Sequence, residues 1–99
     1  MNKILQMLEN DPDDVFLNFS LAMEYAGRGR LDEAVAQFAR VVQLDPYHVA
    51  SFYQWAQALV NADRPDEART ILERGEAAAR RAGDRHMLDK ITQMRTLLG

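Results

Sequence analysis

Apolar side chains recur along this chain at intervals of three and four residues. From Val15 onward, Val15, Asn18, Ala22 and Tyr25 share one side of a helix, and Phe16, Phe19, Met23 and Ala26 share the adjoining side. Leu31, Ala34, Val35, Phe38, Val41 and Val42 form the next stripe, and Val49, Phe52, Trp55, Ala56 and Leu59 the one after it. Ala68, Ile71, Leu72, Gly75, Ala78, Ala79 and Ala82 continue the pattern, and Met87, Leu88, Ile91, Met94 and Leu98 close it. Spacing of this kind predicts amphipathic helices that bury one face each. Breakers fall between the stripes. Gly27-Arg28-Gly29 and Asn61-Ala62-Asp63-Arg64 are turns, and Pro65 suits the first position of a helix. Pro46 lacks an N–H and pushes Asp45 out of the helical region, so the preceding helix stops there.

Shifted by 34 residues, the chain falls on itself. Asp11-Pro12 meets Asp45-Pro46, Phe19 meets Tyr53, and Ala22 meets Ala56. Asp32-Glu33-Ala34 meets Asp66-Glu67-Ala68, and Phe38 meets Leu72. Each unit reads as two helices joined by a tight turn. The short side chains Ala22, Ala34, Ala56 and Ala68 have a plain physical role, since helices approach closely only where side chains are small.

With Leu21-Ala22, Tyr25, Ala34, Phe38 and Pro46 in the first unit, and Trp55-Ala56, Leu59, Ala68 and Leu72 in the second, the chain resembles the tetratricopeptide repeat family. The resemblance covers residues 15–82. It implies an all-α fold of about six helices, a right-handed superhelical stack of antiparallel helix pairs. The expected organisation is an N-terminal capping helix over 1–11, one repeat over 15–48 and a second over 49–82. A C-terminal capping helix over 84–98 completes it. Arg80 stands where the repeat places its closing proline, so the fourth major helix is expected to run on to Ala82, with Gly83 turning the chain. The final helix lacks the family's order of small and large residues and reads as the terminal cap that a repeat array needs. Ile4, Leu5, Met7 and Leu8 are expected to cover the opposite edge.

Composition adds constraints. Apolar residues are 47% and charged residues 27% of the 99, which suits a folded domain. The absence of cysteine removes disulfides, thiolate metal ligands and cysteine nucleophiles. No stretch approaches the roughly 18 apolar residues of a membrane span, and Met1–Leu8 is no signal peptide, so we expect a cytoplasmic protein. Net charge is −3, and the basic cluster Arg74, Arg80, Arg81 and Arg85 is interleaved with Glu73, Glu76 and Asp84. That reads as a solvated helix surface, without the concentrated basic face of a nucleic-acid binder.

The residues offer no catalytic constellation. His48 and His86 fit no metal-ligand spacing and read as surface residues. Ser20 and Ser51 sit in no strand–turn–helix elbow. Asp13-Asp14, Asp32-Glu33 and Asp66-Glu67 all fall at helix starts, where the helix dipole favours negative charge. No enzyme, cofactor or metal is expected. The resemblance instead implies an interaction module whose inner wall, lined by the first helix of each pair, takes a peptide or partner helix. The positions on that wall are Phe16, Phe19, Met23 and Gly27, then Tyr53, Gln54, Gln57 and Asn61, bordered by Tyr47 and His48. Phe19 and Tyr53 equally suit packing between repeats. Family members that hold chaperone carboxylates use groove lysines and arginines, which neither unit has, so that clamp is not expected. A short stack with open edges also suits a homodimer, with Leu88, Ile91, Met94 and Leu97 as its apolar face.

Overall fold

The computed structural model describes residues 1–99 and contains six α-helices. They are α1 (Asn2–Asn10), α2 (Val15–Gly27), α3 (Leu31–Leu44), α4 (Val49–Asn61), α5 (Pro65–Ala82) and α6 (Arg85–Leu98). The helices stack into a slab of 40 × 30 × 17 Å. Helix α2 pairs with α3 and α4 with α5, and α3 passes the stack on to α4 as α5 does to α6. Helix α2 also meets α4, and α4 meets α6, whereas α3 and α5 do not touch. The stack therefore curves, with α2, α4 and α6 converging on its inner wall.

The repeat is visible in the backbone of both turns. Arg30 N–H donates to Tyr25 C=O and Arg64 N–H to Leu59 C=O, each at 2.9 Å. Gly29 (φ 72°) and Asp63 (φ 60°), one repeat apart, both take the left-handed conformation. Gly27 is still helical, so Gly29 is the glycine that turns the chain. Pro65 opens α5, and Asp32-Glu33 and Asp66-Glu67 occupy the first turns of α3 and α5. Asp14 and Asp84 accept from the amides of Leu17 (2.8 Å) and Met87 (3.0 Å), which caps α2 and α6. Helix α5 runs to Ala82 and ends on Gly83 in the left-handed region (φ 69°). Its last residue, Ala82, lies exposed beyond the buried stripe.

The core runs between the layers. Ala22, Ala34, Phe38, Ala56, Ala68, Leu72, Ala79 and Ile91 are fully buried, with Phe52, Trp55 and Leu59 nearly so. Leu17, which stands outside both sequence stripes of its helix, is buried as well. Asn18 is buried and satisfied: its amide donates to Pro12 C=O (3.0 Å) and Asp14 C=O (2.8 Å), and its carbonyl accepts from Gln37. The pair Phe52 and Gly75 stands where the first repeat has Asn18 and Val41. A Cβ on Gly75 would lie 2.8 Å from the Cβ of Phe52 and 3.1 Å from Ile91 Cδ1. Phe52 cannot rotate its own Cβ away. Overpacking of about 1–3 kcal/mol should outweigh the roughly 1 kcal/mol that alanine gains over glycine in a helix. Gly75→Ala is therefore expected to lower the urea midpoint at unchanged m-value, a net loss of about 1 kcal/mol. A raised midpoint would show that the α4–α5 contact yields.

The two caps differ. On α6, Ile91 is fully buried and Met87, Leu88, Met94 and Leu98 pack against the core, leaving Leu97 outside at 87% exposure. The apolar stripe read as a dimer face is thus mostly spent inside the molecule. Buried Glu76 fastens this cap: Thr92 Oγ1 donates to it at 2.8 Å and Arg95 Nε at 2.7 Å. Arg69 adds a bond to the Leu98 carbonyl at 3.3 Å. On α1, Ile4 and Leu8 are half-buried while Leu5 and Met7 stay exposed, and the helix touches only α2. No helix is long and apolar enough to cross a membrane.

Candidate functional site: the inner wall

Helical phase decides what the inner wall presents. Burial of Leu17, Asn18, Leu21 and Ala22 against the layers behind turns Phe16 and Met23, seven residues apart, toward the open side of α2. Both remain exposed, Phe16 strongly so at 73%. On α4 the buried set Phe52, Trp55, Ala56 and Leu59 likewise turns Tyr53, Gln54, Gln57 and Asn61 outward. A cleft of about 350 Å³ lies between the two helices, with Met23, Gly27 and Leu31 on one bank and Gln54, Gln57 and Asn61 on the other. A second of about 350 Å³ lies between α4 and α6, lined by Tyr53, Gln57, Lys90, Gln93, Met94 and Leu97. Gln57 borders both, so the two clefts flank α4 and meet at this side chain.

The wall's chemistry is apolar and amide-rich. Gln57 Nε2 donates to Asn61 Oδ1 at 3.1 Å, which fixes two amides one turn apart and leaves the Gln57 carbonyl free to accept. Lys90 is the one charged residue lining either cleft, its ammonium 4.7 Å from the centre of the Tyr53 ring. Lys90, Gln93 and Leu97 are groove residues that sequence reasoning missed, because α6 does not repeat the family's small–large order. Their signal was the i, i+3, i+7 spacing of the three on a helix that follows a pair.

The sequence candidates divide into two groups. Met23, Gln54, Gln57 and Asn61 line the first cleft, while Phe16 is exposed on α2 and lines neither cleft. Phe19 turns inward, its ring 6.2 Å from that of Phe38 and 4.9 Å from His48. Tyr53 is half-buried beneath Lys90. His48 is half-buried rather than a free surface residue: beyond its contact with Phe19, its Nδ1 lies 2.8 Å from Ser51 Oγ. That pair has the separation of a base and a nucleophile, but Ser51 is fully buried in the first turn of α4, so the bond ties down a helix start. No three His, Asp or Glu side chains gather as metal ligands.

Comparison with known proteins matches this architecture. The family model for the tetratricopeptide repeat matches residues 25–88. A tetratricopeptide repeat domain protein from Salinibacter ruber, solved in solution, shares 26% identity and a TM-score of 0.80, over 88% of each chain. A protein from Bordetella parapertussis superimposes with a TM-score of 0.85 at 24% identity, over 98% of this chain and 84% of that one. YrrB, a TPR protein with an unusual peptide-binding site, gives a TM-score of 0.77 at 24% identity, over 91% of this chain and 45% of that chain. No curated protein matches the chain. The family model spans well over half of the chain, and the repeat it describes is the one seen in both turns and both helix pairs: this chain belongs to the tetratricopeptide repeat family.

Proposed function

We propose that the inner wall docks an extended segment of a partner protein, in a track that crosses α2, α4 and α6, and that the domain is a non-catalytic interaction module. The observation that carries this reading is the two clefts that meet at Gln57, with apolar and amide groups lining both. Met23 and Leu97 offer apolar contact, and Gln54, Gln57, Asn61 and Gln93 offer donors and acceptors. Such amides suit an extended backbone better than a helix, whose own backbone groups are already paired. Tyr53 with Lys90 forms a fixed shoulder, and Phe16, exposed on α2, lines neither cleft. Phe19 serves packing in this reading. The peptide-binding site of YrrB supports the choice of a peptide ligand, and the absence of a spanning helix is consistent with a cytoplasmic protein.

Affinity capture from the source cell tests the proposal. Met23→Glu places a charge in the apolar bank, and its desolvation should weaken partner recovery by about tenfold or more. The far-ultraviolet circular dichroism should be unchanged. Equal recovery by wild type and variant would remove the groove from the account. The alternative, assembly through the terminal helices, rests on exposed Leu5, Met7 and Leu97. A monomer in sedimentation at high micromolar concentration would exclude it.

A further inference from the structure

The arginines divide unevenly between paired and free. Arg28, Arg30, Arg40, Arg64, Arg69 and Arg95 each have a carboxylate partner. Arg74, Arg80, Arg81 and Arg85 have none, and all four are exposed on the C-terminal half of α5 and the first residue of α6. The acidic residues that alternate with them in sequence are mostly occupied. Glu76 turns inward to Thr92 and Arg95, and Asp84 caps α6 through the amide of Met87. Glu73 stays exposed beside Arg74, and Asp89 stays exposed one turn after Arg85 on α6. With Glu76 withdrawn, the part of this surface between Arg74 and Arg81 is locally positive, where an evenly interleaved face was expected. Favourable placement at a helix C-terminus accounts for Arg80 and Arg81, but not for Arg74 two turns earlier.

Arg74 and Arg81 flank a cleft of about 460 Å³ between α5 and the α3–α4 connection, with Pro46 and Tyr47 opposite and Ala77 and Ala78 between. Arg74 is preorganised there. Its guanidinium carbon lies 5.4 Å from the centre of the Phe52 ring and 5.3 Å from that of Trp55. Stacking of this kind holds the group in place while its N–H edges stay free to donate. Tyr47, 55% exposed, adds an aromatic wall. The cleft shares no lining residue with the inner-wall track.

We propose that this cleft is a second docking site, for an acidic segment of a partner protein. Its carboxylates would pair with Arg74 and Arg81, and an apolar side chain would rest on Ala77, Ala78 and Tyr47. Planar guanidinium groups match carboxylates in two-point geometry. A protein segment fits better than a nucleic acid, because the basic surface is short and the same helix opens with Asp66 and Glu67.

Fluorescence anisotropy on the full chain tests the site, using a labelled peptide of about twelve residues, glutamates with two central leucines. A control peptide carries glutamine for every glutamate. The glutamate peptide should bind at about 50 mM salt and weaken about tenfold or more by about 500 mM, as expected of exposed charge pairs. Arg81→Glu, an exposed change that spares the Arg74 stack, should weaken it about tenfold again, while Gln57→Ala on the inner wall should leave it unchanged. Equal binding of the glutamine peptide, indifference to Arg81→Glu, or tighter binding of an oligouridylate of the same length would each overturn the proposal.

Discussion

Phe38→Ala is expected to cost about 3–5 kcal/mol, enough to leave much of the chain unfolded at room temperature. Phe38 is fully buried on α3, with the Phe19 ring tilted against it and Ala22, Ala34 and Val42 in the same cluster. Removing the ring loses the transfer free energy of its atoms and leaves a cavity. The neighbours that would have to collapse into it are held at helix-to-helix contacts. The second repeat supplies its own control, because Leu72, also fully buried, occupies the equivalent position. Phe38→Leu should therefore cost less, on the order of 1 kcal/mol. Urea unfolding followed by circular dichroism measures both changes. Equal, small losses in the two variants would show that the first hairpin does not depend on this side chain.

The second large effect concerns a charge. Glu76 is 5% exposed and its carboxylate is shared by Thr92 and Arg95, so it joins α5 to the terminal helix. Its equivalent in the first repeat is Val42, an ordinary core position. Arg95→Leu leaves the carboxylate buried without its counter-charge. Loss of one partner from a buried pair costs about 3–5 kcal/mol, and the partial exposure of Arg95, 39% of its side chain, lets water recover some of that. About 2–3 kcal/mol is expected. Glu76→Leu should cost much less, since Arg95 can turn to solvent, and the double replacement should lie near wild type. A double-mutant cycle on thermal unfolding reads the asymmetry directly. Equal losses in the two single variants would mean that the pair acts by packing and not by charge.

These two positions also mark how far the fold is legible in the sequence. The two hairpins can be read because helical spacing, turn residues and short side chains recur together at one interval. Glycine and aspartate share the left-handed turn position, so even that substitution obeys the repeat. What escapes is the chemistry of positions where the units differ. Nothing in the spacing shows that Glu76 faces inward, since a glutamate amid arginines on a long helix reads as surface charge. Its burial depends on α6 arriving with Thr92 and Arg95 in register, which is a tertiary fact. The same blindness hides the positive face left behind, and it hides Lys90, which reaches the inner wall only because the cap takes the place of another first helix. Along the first cleft, helical phase places Met23, Gln54, Gln57 and Asn61 without further help. The inward turn of Phe19 required knowing where His48 and Phe38 stand.

If the stacked hairpins leave the wall of α2, α4 and α6 free for a partner, site-specific photo-crosslinking in the source cell should capture that partner there. A photoreactive residue at Gln57, at the middle of the track, should trap a protein adduct that Met23→Glu abolishes. The same residue at exposed Ala36, on α3, should trap none. Adducts from position 36 with none from position 57 would contradict this placement.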